Sequence, residues 1–193
     1  MIQLGEAGWF LPVGGMVLGG LRPETGEFCY RVLPVEFFQG ERFQERQYVQ
    51  EACNLVAEIL SGLNVPKHTE PLQICTGNIM PYIRFWVYQQ GYQYSSIPSS
   101  NELQILLDTA LFQHLREDIN LKNVDFQILH EKPALANWLC WQWLKGGNVN
   151  ARRAVPAREH LAKIGWSTYS VWINNSYAEA KRLLKEKQAS GRK

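Results

Sequence analysis

The sequence lacks the cysteine patterns that bind zinc or carry redox chemistry. Its four cysteines, at positions 29, 53, 75 and 140, lie more than twenty residues apart and form no CxxC pair. We therefore expect them to be reduced, mostly buried side chains. A chain of 193 residues can bury a sufficient hydrophobic core without disulfides or metal ions. No metal or other cofactor is predicted.

Long hydrophobic runs are also missing. The apolar stretch at 9–21 is interrupted by Pro12 and four glycines, and no Lys or Arg precedes Arg22. A secretory signal peptide needs a positively charged start, and a membrane-spanning helix needs about 20 apolar residues. The sequence therefore predicts a protein without a membrane segment and, by default, a cytoplasmic location.

Charge of neither sign dominates the whole chain, which has 20 Lys and Arg against 18 Asp and Glu. This balance hides an asymmetry: residues 1–144 carry 9 basic and 15 acidic side chains, whereas residues 145–193 carry 11 and 3. A local excess of one sign attracts partners of the opposite sign. Because the reversal falls beside Gly146-Gly147-Asn148, we predict a domain at 1–145 and a basic, mainly helical extension at 146–193.

Changes in hydrophobic periodicity predict an α/β fold with a mixed sheet. Residues 14–21 and 27–38 are rich in strand formers and flank a turn with Pro and Gly, so they predict an antiparallel hairpin that opens the sheet. The further predicted elements are a helix at 43–63, a strand at 72–75, a helix at 81–90, a strand at 92–97, a helix that includes 103–115, a strand at 124–129, and helices at 133–145, 156–163 and 176–187. Such an order places helices against a central sheet.

This element order resembles the ribonuclease H-like fold, in which an antiparallel meander is followed by a helix, a strand and further helix–strand units. The resemblance covers about residues 10–120, and Glu51 stands on the first long helix, where active members carry an acidic metal ligand. Those members hold two divalent metals between carboxylates on the first strand, the first helix and the following strand. Since no Asp precedes Asp108, the resemblance implies a scaffold without the catalytic aspartates. A nuclease site built from Glu36, Glu51 and Glu58 is the alternative.

The turn that follows the predicted strand at 72–75 is a candidate anion-binding site. Thr76, Gly77 and Asn78 lead into a helix, and a strand-to-helix turn with glycine presents free backbone N–H groups and the positive end of the helix dipole. Arg84 follows one or two turns later and can add a positive charge. The alternative interpretation is that Thr76 or Asn78 only caps the helix.

Nucleophilic catalysis has little support in the sequence. There is no GxSxG motif, and the four histidines are scattered along the chain. The one pairing worth naming is Cys75 with His114 or His130, although a cysteine on an apolar strand is usually part of the core. We assign no catalytic residue and favour a protein that is not an enzyme.

The basic extension carries the candidate binding surface. Basic groups neutralise phosphates, while aromatic rings stack on unpaired bases. The predicted nucleic-acid contacts are Arg152, Arg153, Lys163, Trp166, Trp172, Lys181, Arg182 and Lys185. An amphipathic surface helix whose aromatic side chains pack on the domain would show the same pattern.

Two classes of partner fit this extension. It binds nucleic acid, single-stranded or RNA, or it docks on an acidic protein surface, such as the acidic body of a second copy in a homo-oligomer. We favour non-catalytic nucleic-acid recognition because it makes the sharper predictions. The alternatives are a protein–protein interaction or assembly factor and a metal-dependent ribonuclease H-like nuclease.

Overall fold

A mixed β-sheet forms the centre of the protein. The computed structural model describes residues 1–67, 69–148 and 150–190, and in these residues the sheet has five strands. The strands are β1 (Ile2–Ala7), β2 (Met16–Arg22), β3 (Glu27–Leu33), β4 (Leu72–Cys75) and β5 (Tyr94–Ile97). Their spatial order is β3-β2-β1-β4-β5. The pairs β1–β2 and β2–β3 are antiparallel, whereas β1–β4 and β4–β5 are parallel.

Helices pack on both faces of this sheet, which confirms the predicted α/β class. They are a 3-10 turn at Val35–Phe38, α1 (Gly40–Gln44), α2 (Gln47–Gly62), α3 (Met80–Gln89), α4 (Asn101–Glu117), α5 (Phe126–Glu131), α6 (Pro133–Leu144), α7 (Pro156–Glu159), α8 (Tyr169–Asn174) and α9 (Tyr177–Ser190). The side chains of α2 and α3 form one buried cluster with the sheet, and those of α4, α5, α6 and α8 form the other. Within the described ranges, no helix has the length and apolar character that a membrane span requires.

The opening of the sheet differs from the prediction. The predicted hairpin is present as β2 and β3, but β1 precedes it and turns the hairpin into a three-stranded antiparallel meander. The predicted strand at 124–129 is wrong, because α5 occupies most of it. Asp125 starts this helix: its carboxylate accepts a hydrogen bond from the Ile128 backbone N–H at 2.7 Å.

Two glycines in β2 allow helices to approach both faces of the sheet. A Cβ atom at Gly19 would lie 2.7 Å from Leu107 on α4, and one at Gly20 would lie 2.9 Å from Ile59 on α2. Neither distance leaves room for a side chain. These two glycines therefore mark close packing contacts between the sheet and its helices.

The extension packs on the sheet domain through a short bridge. Val13 and Ala162 form an isolated antiparallel β-bridge, and the Lys163 backbone N–H donates to the Pro12 carbonyl at 2.9 Å. Tyr169 on α8 belongs to the same buried cluster as the side chains of α4. The charge reversal near residue 146 therefore does not coincide with a break in the hydrophobic core.

Candidate functional site

An open cavity of about 730 Å³ lies between the β1–β2 loop and the extension. Its lining is Trp9, Phe10, Phe43, Asn137, Trp141, Gly165, Trp166, Ser167, Thr168 and Trp172. A second cavity of about 350 Å³ adjoins it, since Phe10, Asn137 and Trp172 line both. Tyr177 and Lys181 extend the lining there. We call the two cavities together the aromatic groove.

The β1–β2 loop carries the aromatic side chains on one side of the groove. Trp9 and Phe10 follow Gly8, whose φ of 89° lies in the left-handed region that favours glycine. The Asn137 side-chain amide of α6 donates to the Phe10 carbonyl at 2.7 Å and so holds the loop in place. The Phe10 side chain itself is 43% exposed. It is therefore available for stacking.

The extension supplies the facing rings, but these differ in what they can bind. Trp172 packs against two rings, Trp141 at a centroid distance of 5.7 Å and Tyr177 at 4.9 Å. Because these contacts hold it in place, Trp172 forms a wall of the groove. The rings of Trp9 and Trp166 are half-buried, 6.4 Å apart and tilted by 38°. Trp9 also packs against Phe38 and Tyr48, at 5.9 and 6.0 Å, so Phe10 is the most exposed of the three rings on which a planar ligand can stack.

Polar groups of the groove are few and carry no negative charge. Asn137, Ser167 and Thr168 are the neutral hydrogen-bonding side chains of the larger cavity, apart from the indole N–H groups. Lys181 adds a cation to the smaller cavity. Among the described lining residues of either cavity there is no Asp or Glu. The groove therefore suits an aromatic ligand that carries polar edges and negative charge.

Lys163, predicted to contact nucleic acid, is wholly buried instead. Its Nζ donates to the Gly8 carbonyl at 2.7 Å and lies 4.8 Å from the centre of the Phe38 ring and 5.2 Å from that of Trp166. Burial lowers the pKa of this amine to about 7. Lys163 thus binds the β1–β2 loop at Gly8 and packs against the Trp166 ring of the groove. Its assignment as a surface contact is corrected.

The other predicted contacts are divided between several places. Trp166, Trp172 and Lys181 line the groove. Arg152 and Arg153 line a separate cavity of about 350 Å³, together with Glu159. The structure therefore does not bring these two arginines to the groove.

The two remaining predicted cations lie on α9. Arg182 forms an exposed ion pair with Glu186 at 2.8 Å. Lys185 is exposed and follows Lys181 by four residues, so both lie on the same face of the helix. Lys185 can therefore extend the cationic row that Lys181 begins.

The predicted anion site is filled by the protein's own Glu6. Its carboxylate accepts hydrogen bonds from the backbone N–H groups of Asn78, at 2.7 Å, and Ile79, at 3.0 Å. A Cβ atom at Gly77 would lie 2.9 Å from the same carboxylate. Burial raises the pKa of Glu6, and the two backbone hydrogen bonds act against this. The strand-to-helix turn therefore binds a carboxylate, but from within the chain.

The rest of that turn is also engaged. The Thr76 N–H donates to the Ile97 carbonyl at 2.9 Å, within the sheet. The Arg84 guanidinium donates to the Cys75 carbonyl at 3.2 Å. The assignment of Thr76, Gly77, Asn78 and Arg84 to an external anion is therefore corrected.

The carboxylates named for a nuclease site do not fit two metal ions. Glu36 is paired with Arg42, and Glu58 with Arg31. The Glu51 carboxylate accepts from the Asn54 side chain, three residues further along α2. In residues 1–67, 69–148 and 150–190, no group of three or more His, Cys, Asp or Glu side chains is placed to hold a metal ion. The alternative of a metal-dependent nuclease gains no support from this arrangement.

A smaller polar cavity of about 200 Å³ lies at the end of β1, with Glu6, Thr76 and Asp108 in its lining. The Asp108 carboxylate contacts His130 Nδ1 at 2.7 Å and accepts from the Gln104 amide at 2.9 Å. Burial raises the pKa of Asp108. Both carboxylates are thus held by neighbouring protein groups.

Trp9 and Phe10 are not among the binding residues that the sequence predicts. A local signal was available: two adjacent aromatic residues between Gly8 and Pro12 are typical of a loop that exposes them. It was interpreted only as part of an interrupted apolar run. Their proximity to Trp166 depends on contacts between residues more than 150 positions apart.

No family model matches this chain, and no curated protein is significantly similar to it. The geometry of the aromatic groove is therefore the basis for a functional proposal.

Proposed function

We propose that this protein binds single-stranded nucleic acid, RNA or DNA, in the aromatic groove and does not cleave it. The observation that carries the proposal is the composition of the groove. Phe10, Trp9 and Trp166 offer aromatic surface, and Lys181 supplies a cation at one end. Aromatic rings beside a cationic row are the features by which proteins bind unpaired bases and the phosphates that link them.

The size and polarity of the groove agree with this ligand. A volume of about 730 Å³ is within the usual range for small-molecule sites and can accept a nucleobase with its sugar. The side chains of Asn137, Ser167 and Thr168 can hydrogen-bond to the edge of a base that is stacked on the rings. A duplex hides its base faces, so the proposal is restricted to unpaired strands.

Phosphates would follow the first turns of α9. Tyr177, Lys181 and Lys185 are spaced four residues apart and lie along one face of this helix. Tyr177 and Lys181 line the groove, and the row leads from there along α9. A strand with a base in the groove can place two phosphates beside the two lysines.

We also infer that the scaffold is ribonuclease H-like. The meander β1–β3, the helix α2, the strand β4, the helix α3, the strand β5 and the helix α4 follow one another in the order that the resemblance implies. Glu6 on β1 is an acidic side chain on the first strand, but its oxygens accept the backbone N–H groups that follow β4. This supports a scaffold that is used for binding.

The test is a titration of the protein's tryptophan fluorescence with single-stranded oligouridine and oligothymidine. Two lysine–phosphate contacts predict that the logarithm of the affinity falls with the logarithm of the salt concentration with a slope of about −1.4. Phe10→Ala removes a stacking surface and should weaken binding about 5- to 150-fold. Lys181→Ala should reduce the slope by about 0.7.

Matched variants control for nonspecific effects. Tyr30→Ala removes an aromatic side chain of β3 that is 38% exposed, close to the 43% of Phe10, and should leave the affinity unchanged. Lys122→Ala removes an exposed lysine that does not line the groove. Binding that is insensitive to Phe10→Ala contradicts the groove. Absence of binding to both oligonucleotides refutes the function and leaves a protein partner as the explanation of the basic extension.

A further inference from the structure

The edge of the sheet formed by β5 carries a second aromatic surface. On α3, Phe85 is 63% exposed, Tyr88 is 70% exposed and Tyr82 is 39% exposed. Tyr94 on β5 is also 39% exposed. The three α3 residues are spaced three apart, so they form a stripe along one side of the helix. We call these four side chains, together with β5, the edge surface.

The register of the sheet places these side chains on one layer. Tyr94 pairs with Leu72, and Ser96 pairs with Ile74. Leu72 and Ile74 belong to the buried cluster that contains the inner face of α3. Paired residues of neighbouring strands point to the same face of a sheet. Tyr94 therefore lies on the same face of the sheet as α3, which carries the other exposed rings.

The backbone of β5 has an open side. The Leu72 N–H donates to the Gln93 carbonyl and the Thr76 N–H donates to the Ile97 carbonyl, so these two carbonyls face β4. In a parallel pair, the residues that hydrogen-bond to the neighbour alternate with those that face away. The N–H and C=O groups of Tyr94 and Ser96 therefore point out from the edge.

This edge strand is short, but it lacks charge and proline, two of the features that keep exposed strands from pairing. The strand has the sequence Tyr-Ser-Ser-Ile, which contains no proline and no charged residue. Proteins commonly protect such an edge with charge, proline, a bulge or a covering segment. In α3 and β5, the single charged residue is Arg84, which is bound to the Cys75 carbonyl. Two copies of the surface can therefore meet without opposing charges of the same sign.

We propose that two copies of this protein associate through the edge surface, with β5 antiparallel to β5 of the second copy about a two-fold axis at Ser95. In this register Tyr94 lies opposite Ser96 of the other copy, and each such pair exchanges two backbone hydrogen bonds. The contact is self-complementary, as a two-fold interface requires. It joins two five-stranded sheets into one of ten strands.

The area of the patch agrees with a dimer. An aromatic side chain has about 200 Å² of surface, so the exposed fractions of the four rings amount to about 400 Å² per copy. A stable interface buries about 800 Å² per partner. The rings thus supply at most about half of the area, and the strand with its flanking residues has to supply the rest. The inference does not depend on nucleic-acid binding.

Sedimentation equilibrium of the full chain tests the proposal. We expect the wild type to be a dimer at about 20 μM, a concentration above the micromolar upper end of the dissociation constants that interfaces of standard size show. Ser96→Pro removes an outward N–H without removing a hydrogen bond to β4, and it should weaken the dimer at least about tenfold. The control Ser96→Ala keeps the N–H and should remain a dimer.

A second pair of variants tests the rings and does not touch the strand. The double variant Phe85→Ser with Tyr88→Ser should be monomeric, and Tyr30→Ser on the opposite edge should be a dimer. Circular dichroism shows whether each variant is folded. A wild type that is monomeric at about 20 μM overturns the proposal and leaves another partner, or none, for the edge surface. A dimer that survives both the proline and the double serine variants overturns it too.

Discussion

The buried amine of Lys163 should make the stability of the protein depend on pH. Its side chain is fully enclosed, with Nζ 2.7 Å from the Gly8 carbonyl oxygen and facing the Phe38 and Trp166 rings. Burial lowers the pKa of this amine from 10.5 to about 7, and the nearby Glu6 and Cys140 act in the opposite direction. The perturbation that isolates this effect is Lys163→Met, which keeps the length of the side chain and removes the proton.

The sign follows from the two pKa values. Between pH 7 and pH 10.5 the unfolded chain binds a proton at Lys163 that the native protein has released, so the free energy of unfolding rises with pH. The contribution is complete above pH 10.5 and is lost as the pH falls towards 7. A full proton corresponds to about 1.4 kcal/mol per pH unit, which gives about 5 kcal/mol over this interval at most. The Lys163→Met variant has no amine at this position, so its free energy of unfolding lacks this increase with pH.

Guanidinium unfolding of both proteins at pH 7, 8, 9 and 10 measures the difference. Tyrosines and cysteines that titrate in this range are present in both proteins and cancel. We expect the stability of the wild type relative to the variant to increase by about 3 to 4 kcal/mol from pH 7 to pH 10. The control is Lys185→Met, since Lys185 is exposed. Parallel stability curves for the wild type and Lys163→Met would show that the amine is not buried in solution.

Two further changes test the contacts that position the site. Glu6→Ala leaves the Asn78 and Ile79 N–H groups without their carboxylate and should lower the free energy of unfolding by about 2 kcal/mol. The control Glu41→Ala changes an exposed residue and should leave the free energy of unfolding unchanged. Equal stabilities of the two variants would contradict the hydrogen bonds. Arg22 lowers the pKa of Glu70 to about 2. Glu70→Gln should therefore lower the free energy of unfolding by about 1 to 2 kcal/mol above pH 4.5. Urea unfolding should show that this difference disappears as the pH falls towards 2. A difference that persists at pH 2 would exclude the ion pair as its source.

Local patterns in the sequence were sufficient for most of the elements. The strand predicted at 72–75 is β4, and the helix predicted at 133–145 is α6, which ends one residue earlier. Short-range signals define both elements: an apolar run before a glycine turn, and a proline in the first helical turn. In contrast, β1 contains Gly5 and Glu6, which weaken its strand pattern. Its pairing with β4, 70 residues away, is what makes it a central strand.

The candidate site was harder to predict because it is assembled from distant parts of the chain. The lysine at 163 lies among other basic residues, a pattern that favours a solvated face. Its environment comes instead from Gly8 and Phe38, more than 120 residues earlier. The groove likewise joins Trp9 to Trp166. Periodicity reports which residues share a helix face, but not which loop will cover that face.

The number of basic residues in the extension is larger than the number of cations that are available to bind a ligand. Lys163 is buried, Lys145 donates to the Asn175 carbonyl, Arg158 lies 4.6 Å from the Trp143 ring, and Arg182 is paired with Glu186. The first three groups hold the extension on the domain, whereas the Arg182 pair lies within α9. Binding in the groove should therefore depend more on ring stacking than on charge, and its salt dependence should reflect about two phosphate contacts. A much steeper slope would place the nucleic acid on the arginines outside the groove.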